Sequence, residues 1–340
     1  MKVATALGIS VALGALLVLA TLPVAHPAVG LERPALEKVS VSSCPVGEAP
    51  FLPGYDPLTR EMYVPNAASG NITVLKGTCT VAGTVKLPKG AEPVQAVYDP
   101  TDNYMFVTDG ALNQVYAISG TKVVQTFNIS TGGYGPEFDG PWGIAYVPVN
   151  GTYGEGSLYV TDSDFGWVTE FTPQWPTLWG YTVVGSDPEG IVYDAGFNLV
   201  YVANSGSNTV SEIWPGTLVH AYKTYPVGKD PTDVAFDPAN GYVYVTNTDS
   251  DNISVFDGSF GVVATLKGLN TPIGVAWDQS TLTVFVANFG TDTMFEYNWT
   301  KKIKTVSLPS SASPFGVAYD EGNGDVYVTQ GLGDTVYIFS

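Results

Sequence analysis

Residues 230–268 read DPTDVAFDPANGYVYVTNTDSDNISVFDGSFGVVATLKG. Four runs, 232–236, 242–246, 252–256 and 262–266, are rich in β-branched and aromatic side chains, which fit a pleated strand. Asp237-Pro238, Asn240-Gly241 and Asp257-Gly258 supply turn chemistry between them. The stretch therefore predicts four short antiparallel strands forming one small sheet. Such a sheet has two apolar faces that a single copy cannot bury.

The remainder of the chain consists of further copies. The proline that opens the first strand recurs as Pro50, Pro93, Pro141, Pro188, Pro231, Pro272 and Pro314, at spacings of 41 to 48 residues. Six residues later stand Asp56, Asp99, Asp194, Asp237, Asp278 and Asp320, with Val147 in the third copy. The second strand repeats in step, as in Tyr63-Val64-Pro65-Asn66, Tyr159-Val160-Thr161-Asp162 and Tyr244-Val245-Thr246-Asn247. A four-stranded unit repeated at this period predicts an all-β, seven-bladed β-propeller. The seventh copy stops after its third strand, at Ser340, whereas 37–44 matches the approach to an anchor proline. Residues 37–44 are thus expected to form the outer strand of the last blade, closing the ring and removing an open edge.

The Tyr-Val-Thr-Asn strand followed by Asn-Ile-Ser-Val-Phe resembles the YVTN-repeat propellers of archaeal surface-layer-type and bacterial secreted proteins, over residues 47–340. That resemblance implies the fold and an envelope setting. It carries over no catalytic motif.

Lys2 precedes an uncharged run over 3–25, followed by small residues through Ala28-Val29-Gly30. This is the layout of a secretory signal over 1–30, with an uncleaved membrane anchor as the alternative. Either places the propeller, 31–340, outside the cytoplasm, secreted or at the cell surface. The net charge of −18 with no basic patch argues against nucleic acid as a partner. Charged residues make up only 14 % of the chain, a surface composition suited to acidic or hot surroundings.

An oxidising compartment favours a Cys44–Cys79 bridge. The repeat register argues against it, setting the two at opposite faces of neighbouring blades, beyond the ~7 Å Cα separation that a disulfide tolerates.

The chain has two histidines, His26 in the signal and His220 in an expected fourth strand, and no nucleophile elbow or phosphate-binding loop. The recurrent strand-end aspartates read as turn caps. Strand polarity gathers the loops entering each first strand, and those joining second to third strands, on one acidic face. There Asp187, Asp230 and Asp233 are candidate oxygen ligands for Ca²⁺, although no cofactor is required by the sequence. Trp142 and Trp167, with Asp162, Asp164 and Glu189, form a candidate ligand patch, since indoles beside carboxylates suit carbohydrate stacking. Asn71, Asn128, Asn150, Asn252 and Asn298 head glycosylation sequons. The expected function is a non-enzymatic extracytoplasmic binding or envelope module, with protein or carbohydrate partners at the cell surface. Membrane contact would come only through a retained N-terminal segment. The alternative is a lactonase- or lyase-like propeller enzyme with a metal in the central channel.

Overall fold

The computed structural model describes residues 40–128, 140–148, 156–172, 175–216, 219–258 and 261–340, with backbone alone at 175–179 and 219–220. Its strands assemble into seven sheets, one per copy, each built on antiparallel pairing of consecutive strands. The blade read first from the sequence comprises Pro231–Asp237, Tyr242–Asn247, Asn252–Asp257 and Gly261–Lys267, within one residue of the expected runs at every end. No helix among the described residues is long and apolar enough to cross a membrane.

The core lies between the blades. Seven separate apolar clusters occupy the seven interfaces, such as Tyr63, Ile72, Val74, Met105 and Val107 between blades one and two. Between blades five and six lie Tyr244, Val255, Val275, Val286 and Phe295. Each sheet is sealed on both faces by its neighbours, so the repeat is stable only as a closed ring. The closing strand is Val41–Pro45, antiparallel to Thr335–Phe339 with Ser43 opposite Tyr337. It lies a few residues later than the expected 37–44, of which 37–39 fall outside the described residues.

Every letter of the Tyr-Val-Thr-Asn motif has a mechanical role. The tyrosine reaches the outer turn of the following blade: Tyr327 Oη donates to the Gly77 carbonyl at 2.6 Å, and Tyr159 Oη accepts from the Gly216 N–H at 3.0 Å. The valine enters the interblade core. The threonine, present in blades two, three, five and seven, fills a gap left by a bulge at the start of the first strand. Thr161 Oγ1 accepts from Gly143 N at 2.7 Å and donates to the Glu189 carbonyl of blade four at 2.9 Å. Thr246 Oγ1 likewise accepts from Asp233 N at 3.1 Å and donates to Ile273 O at 2.6 Å. The asparagine amide ties down the loop beyond, as when Asn247 Nδ2 donates to Asn252 Oδ1 and Ser254 Oγ.

At the inner ring the first strands approach so closely that the second residue after the anchor proline is glycine in four blades. A Cβ on Gly143 would lie 2.1 Å from the Glu189 carbonyl oxygen, and one on Gly274 2.2 Å from that of Phe315. Where the position carries a side chain with a polar end, that end joins the next blade. Gln95 Oε1 accepts from Ile144 N at 3.0 Å, and Asp233 Oδ2 from Val275 N at 2.9 Å.

The disulfide that the repeat register disfavours is present. Cys44 and Cys79 are bonded, with Cα atoms 5.5 Å apart. Flat blades would keep the two cysteines apart, but sheet twist accumulates over four strands. It swings the outer turn of blade one, residues 77–79, over the face of blade seven, where Tyr327 also meets Gly77. A second departure concerns His220, placed in a fourth strand by the repeat. The long connection in blade four instead adds Val219–His220 as a fifth, parallel strand on the outer edge of blade three, and the fourth strand is Lys223–Pro226.

Two outcomes are expected in denaturant unfolding. Cys79→Ser opens a cross-link spanning 35 residues and should cost about 3–4 kcal/mol by loop entropy, with reductant producing the same loss in the parent chain. Thr246→Val should cost about 1–3 kcal/mol by stranding buried backbone groups at two blades. The exposed Thr305→Val should be near neutral.

Candidate functional site at the channel mouth

In every blade the residue before the anchor proline offers its carbonyl to the N–H of the residue that follows the second strand. The seven bonds run from Ala67 N to Ala49 O in blade one round to Gly331 N to Ser313 O in blade seven, at 2.8 to 3.3 Å. Six of these entry residues, Ala49, Gly140, Asp187, Asp230, Thr271 and Ser313, hold left-handed φ values of 42° to 74°. Asp is among the residue types that tolerate this region, which accounts for Asp187 and Asp230 without a ligand.

This repeated entry fixes where the residue after the proline stands. Around the ring it is Phe51, Val94, Trp142, Glu189, Thr232, Ile273 and Phe315. Three of the side chains come together across the ring: the Phe51 ring meets Phe315 of blade seven at 4.6 Å between centroids. It also meets Trp142 of blade three edge-on at 5.8 Å, across the intervening blade two. Val94 is buried, and the other six are part-exposed. The channel mouth is thus an apolar and aromatic annulus interrupted by one threonine and one carboxyl group.

That carboxyl is Glu189. Burial pushes its pKa up to about 7, and the nearby charges of Asp230, Asp187 and Asp233 act in the same direction, against a hydrogen bond from Ser205. A carboxyl poised near neutrality inside a cleft can exchange a proton with a bound molecule, or hold a cation once ionised.

The residues proposed from sequence are distributed as follows. Trp142 and Glu189 stand on adjacent inner strands of the annulus. Trp167 opens the third strand of blade three, sandwiched between Phe165 at 5.3 Å and Tyr181 at 4.6 Å, and packs on the core between blades two and three. Asp162 is buried, and its carboxylate accepts from Phe165 N at 3.2 Å, while Asp164 is exposed on the same turn. Of the three aspartates considered for calcium, Asp233 spends both carboxylate oxygens on backbone N–H groups of Val234 and Val275. No three His, Cys, Asp or Glu side chains among the described residues are grouped to hold a metal ion. Asn71 and Asn252 have their amides engaged by neighbouring loops, Asn128 accepts from Gln114 Nε2, and Asn298 is exposed. Asn150 lies outside the described residues, as does His26. The strand-end aspartates are turn caps, as Asp194 accepting from Gly196 N at 2.7 Å and Asp320 from Gly322 N at 2.8 Å show.

Phe51, Thr232, Ile273 and Phe315 were not singled out from sequence. The signal was present: the position after the anchor proline holds six different residue types in seven blades, more than any other position of that strand.

No known protein-family pattern matches the chain, and no curated protein matches its sequence. Solved structures do match its shape. Streptogramin B lyase superposes with a TM-score of 0.75 at 14 % identity, over 91 % of this chain and 99 % of that one. Virginiamycin B lyase from Staphylococcus aureus gives 0.72 at 12 % identity, over 89 % and 99 %. A catalytically inactive histidine-to-alanine variant of that lyase, with quinupristin, gives 0.73 at 13 %, over 89 % and 99 %. At these identities the likeness is one of fold, and the chain is a seven-bladed propeller of the same architecture.

Burial raises several other carboxyls besides Glu189: Asp233 and Glu212 to about 7 and Asp237 to about 6. A carboxyl whose folded pKa lies above its unfolded value binds its proton more tightly in the folded state. The stability it contributes is full below the unfolded pKa of about 4–4.5 and is lost as pH rises through 6 to 7. Thermal unfolding should therefore occur at a higher temperature at pH 5 than at pH 8, and Glu189→Gln should flatten the profile. A midpoint that climbs steadily from pH 5 to pH 8 would contradict this assignment.

Proposed function

We propose that this chain is a secreted or surface-attached propeller that binds a small organic ligand at the mouth of its central channel. The observation that carries the reading is the annulus itself: part-exposed rings of Phe51, Trp142 and Phe315 with a single poised carboxyl, Glu189, at the position that varies most between blades. A role in structure alone favours repetition, as the proline, the terminal aspartate and the ring just before it show in nearly every blade. Variation confined to the residue that faces the axis is what a specific site requires. The leader-like N-terminus and the exposed Asn298 sequon are the features that support an envelope setting.

Lyase-type catalysis is the second reading, favoured by three similar structures that are all lyases. An elimination needs a base to take a proton from carbon, so that the C–H electron pair forms a double bond and the leaving group departs with its own pair. In this chain His220 sits in the outer edge strand of blade three. Glu189 is then the group at the channel mouth that would take the proton, unlike the neighbour whose alanine variant for a histidine is inactive.

Screening a small-molecule set by calorimetry against the parent and Trp142→Ala separates the readings from a purely structural role. Binding by the parent, weakened at least tenfold in the variant, is expected. Equal binding by both would remove the channel mouth as the site. Incubation with quinupristin, followed by mass spectrometry, tests the second reading: turnover abolished by Glu189→Gln supports it, and an unchanged substrate sets it aside.

A further inference from the structure

The composition of the annulus points to the class of ligand, given that the channel mouth is the binding site as proposed above. Three aromatic rings from blades seven, one and three form one continuous arc, with centroids 4.6 and 5.8 Å apart. All three residues are part-exposed, so the arc keeps accessible surface at the mouth. Directly beside Trp142 on the neighbouring inner strand stands Glu189, held in register by the Thr161 hydroxyl, which bonds both Gly143 and the Glu189 carbonyl.

Each remaining feature favours positive charge. Aromatic faces attract cations through the ring quadrupole, and more strongly where water is partly excluded. Asp187 and Asp230 stand at the entries to the first strands of blades four and five, and their fields act on Glu189. The whole chain carries a net charge of −18, and a cleft in low-dielectric walls focuses such a field. Bare metal ions fit poorly. Calcium takes six to eight oxygen ligands, whereas the mouth offers rings, one hydroxyl and one carboxyl. A neutral sugar would leave the carboxyl without a counter-charge and would find the apolar side chains of Ile273 and Val94 on the same ring.

We propose that the channel mouth binds organic ammonium cations, with the rings of Phe51, Trp142 and Phe315 facing the alkylated nitrogen and Glu189 as its counter-ion. The methyl-bearing surface of such a cation matches the apolar ring, and its charge matches the one carboxylate. No contact in this arrangement needs a metal or a second chain.

The test compares choline with its uncharged isostere 3,3-dimethylbutan-1-ol, titrated by calorimetry into the full protein at pH 8, where Glu189 is ionised. Choline should bind at least tenfold more tightly than the alcohol. Glu189→Gln should weaken choline about tenfold and leave the alcohol unchanged, whereas Trp142→Ala should weaken both. Glu321→Gln, an exposed change in the turn after the first strand of blade seven, should alter neither, which guards against a general effect of net charge. Circular dichroism melts confirm that each variant is folded. Equal affinity for choline and the alcohol, both lost in Trp142→Ala, would overturn the cation class while leaving the channel-mouth site intact. Choline binding that is unchanged in both Glu189→Gln and Trp142→Ala would overturn the inference outright, and absence of choline binding by the parent would do the same. In either case the broader screen against Trp142→Ala shows independently whether the channel mouth binds anything.

Discussion

The approach of the seven inner strands to backbone contact governs the rest of this molecule. Glycine at the second position after the anchor proline is there because a Cβ would collide with the next blade's carbonyl, at 2.1 Å for Gly143 and 2.2 Å for Gly274. So tight a ring leaves ladder hydrogen bonds unmade at each bulge. The threonine of the second strand accepts one of those orphaned N–H groups and passes its own proton to the adjacent blade, as Thr161 and Thr246 do. A buried N–H without a partner costs a few kcal/mol, and a threonine accepts such a group in blades two, three, five and seven. The Tyr-Val-Thr-Asn strand is therefore a clamp between blades, which explains why it recurs without implying an activity.

Ring closure follows from the same packing. Apolar clusters sit in seven interfaces and none is complete without both neighbours. The seam between blades seven and one is held three ways: by the Val41–Pro45 strand, by the Tyr327 hydroxyl on Gly77, and by the Cys44–Cys79 bond. The covalent link falls where the two chain ends meet, the one interface that loop connectivity does not protect.

The proposed binding site lies in what this frame leaves free. At the inner-strand position after the proline, side chains of different blades meet each other across the ring. Aromatic rings from blades one, three and seven meet there beside one carboxyl. The low dielectric of the mouth and the surrounding aspartates set the proton affinity of Glu189 near neutrality. Propeller lyases share the architecture, and their likeness to this chain resides in the frame; the chemistry of the mouth belongs to these residues.

The sequence by itself determined the blade count, the strand boundaries, the closing strand to within a few residues and the capping role of the recurrent aspartates. Each rests on local chemistry: side-chain alternation, turn residues and a proline that keeps its period. Tertiary structure decided what depends on twist and convergence. Twist carried residue 79 over blade seven and made the disulfide, and a long connection took His220 to the edge of blade three. Convergence joined Phe51 to Trp142 across an intervening blade, while Trp167, close to Trp142 in the chain, was drawn into the interblade packing. Residues about ninety positions apart share the channel mouth because a closed ring brings equivalent positions to one axis, and no period along the chain states how near that axis their side chains come.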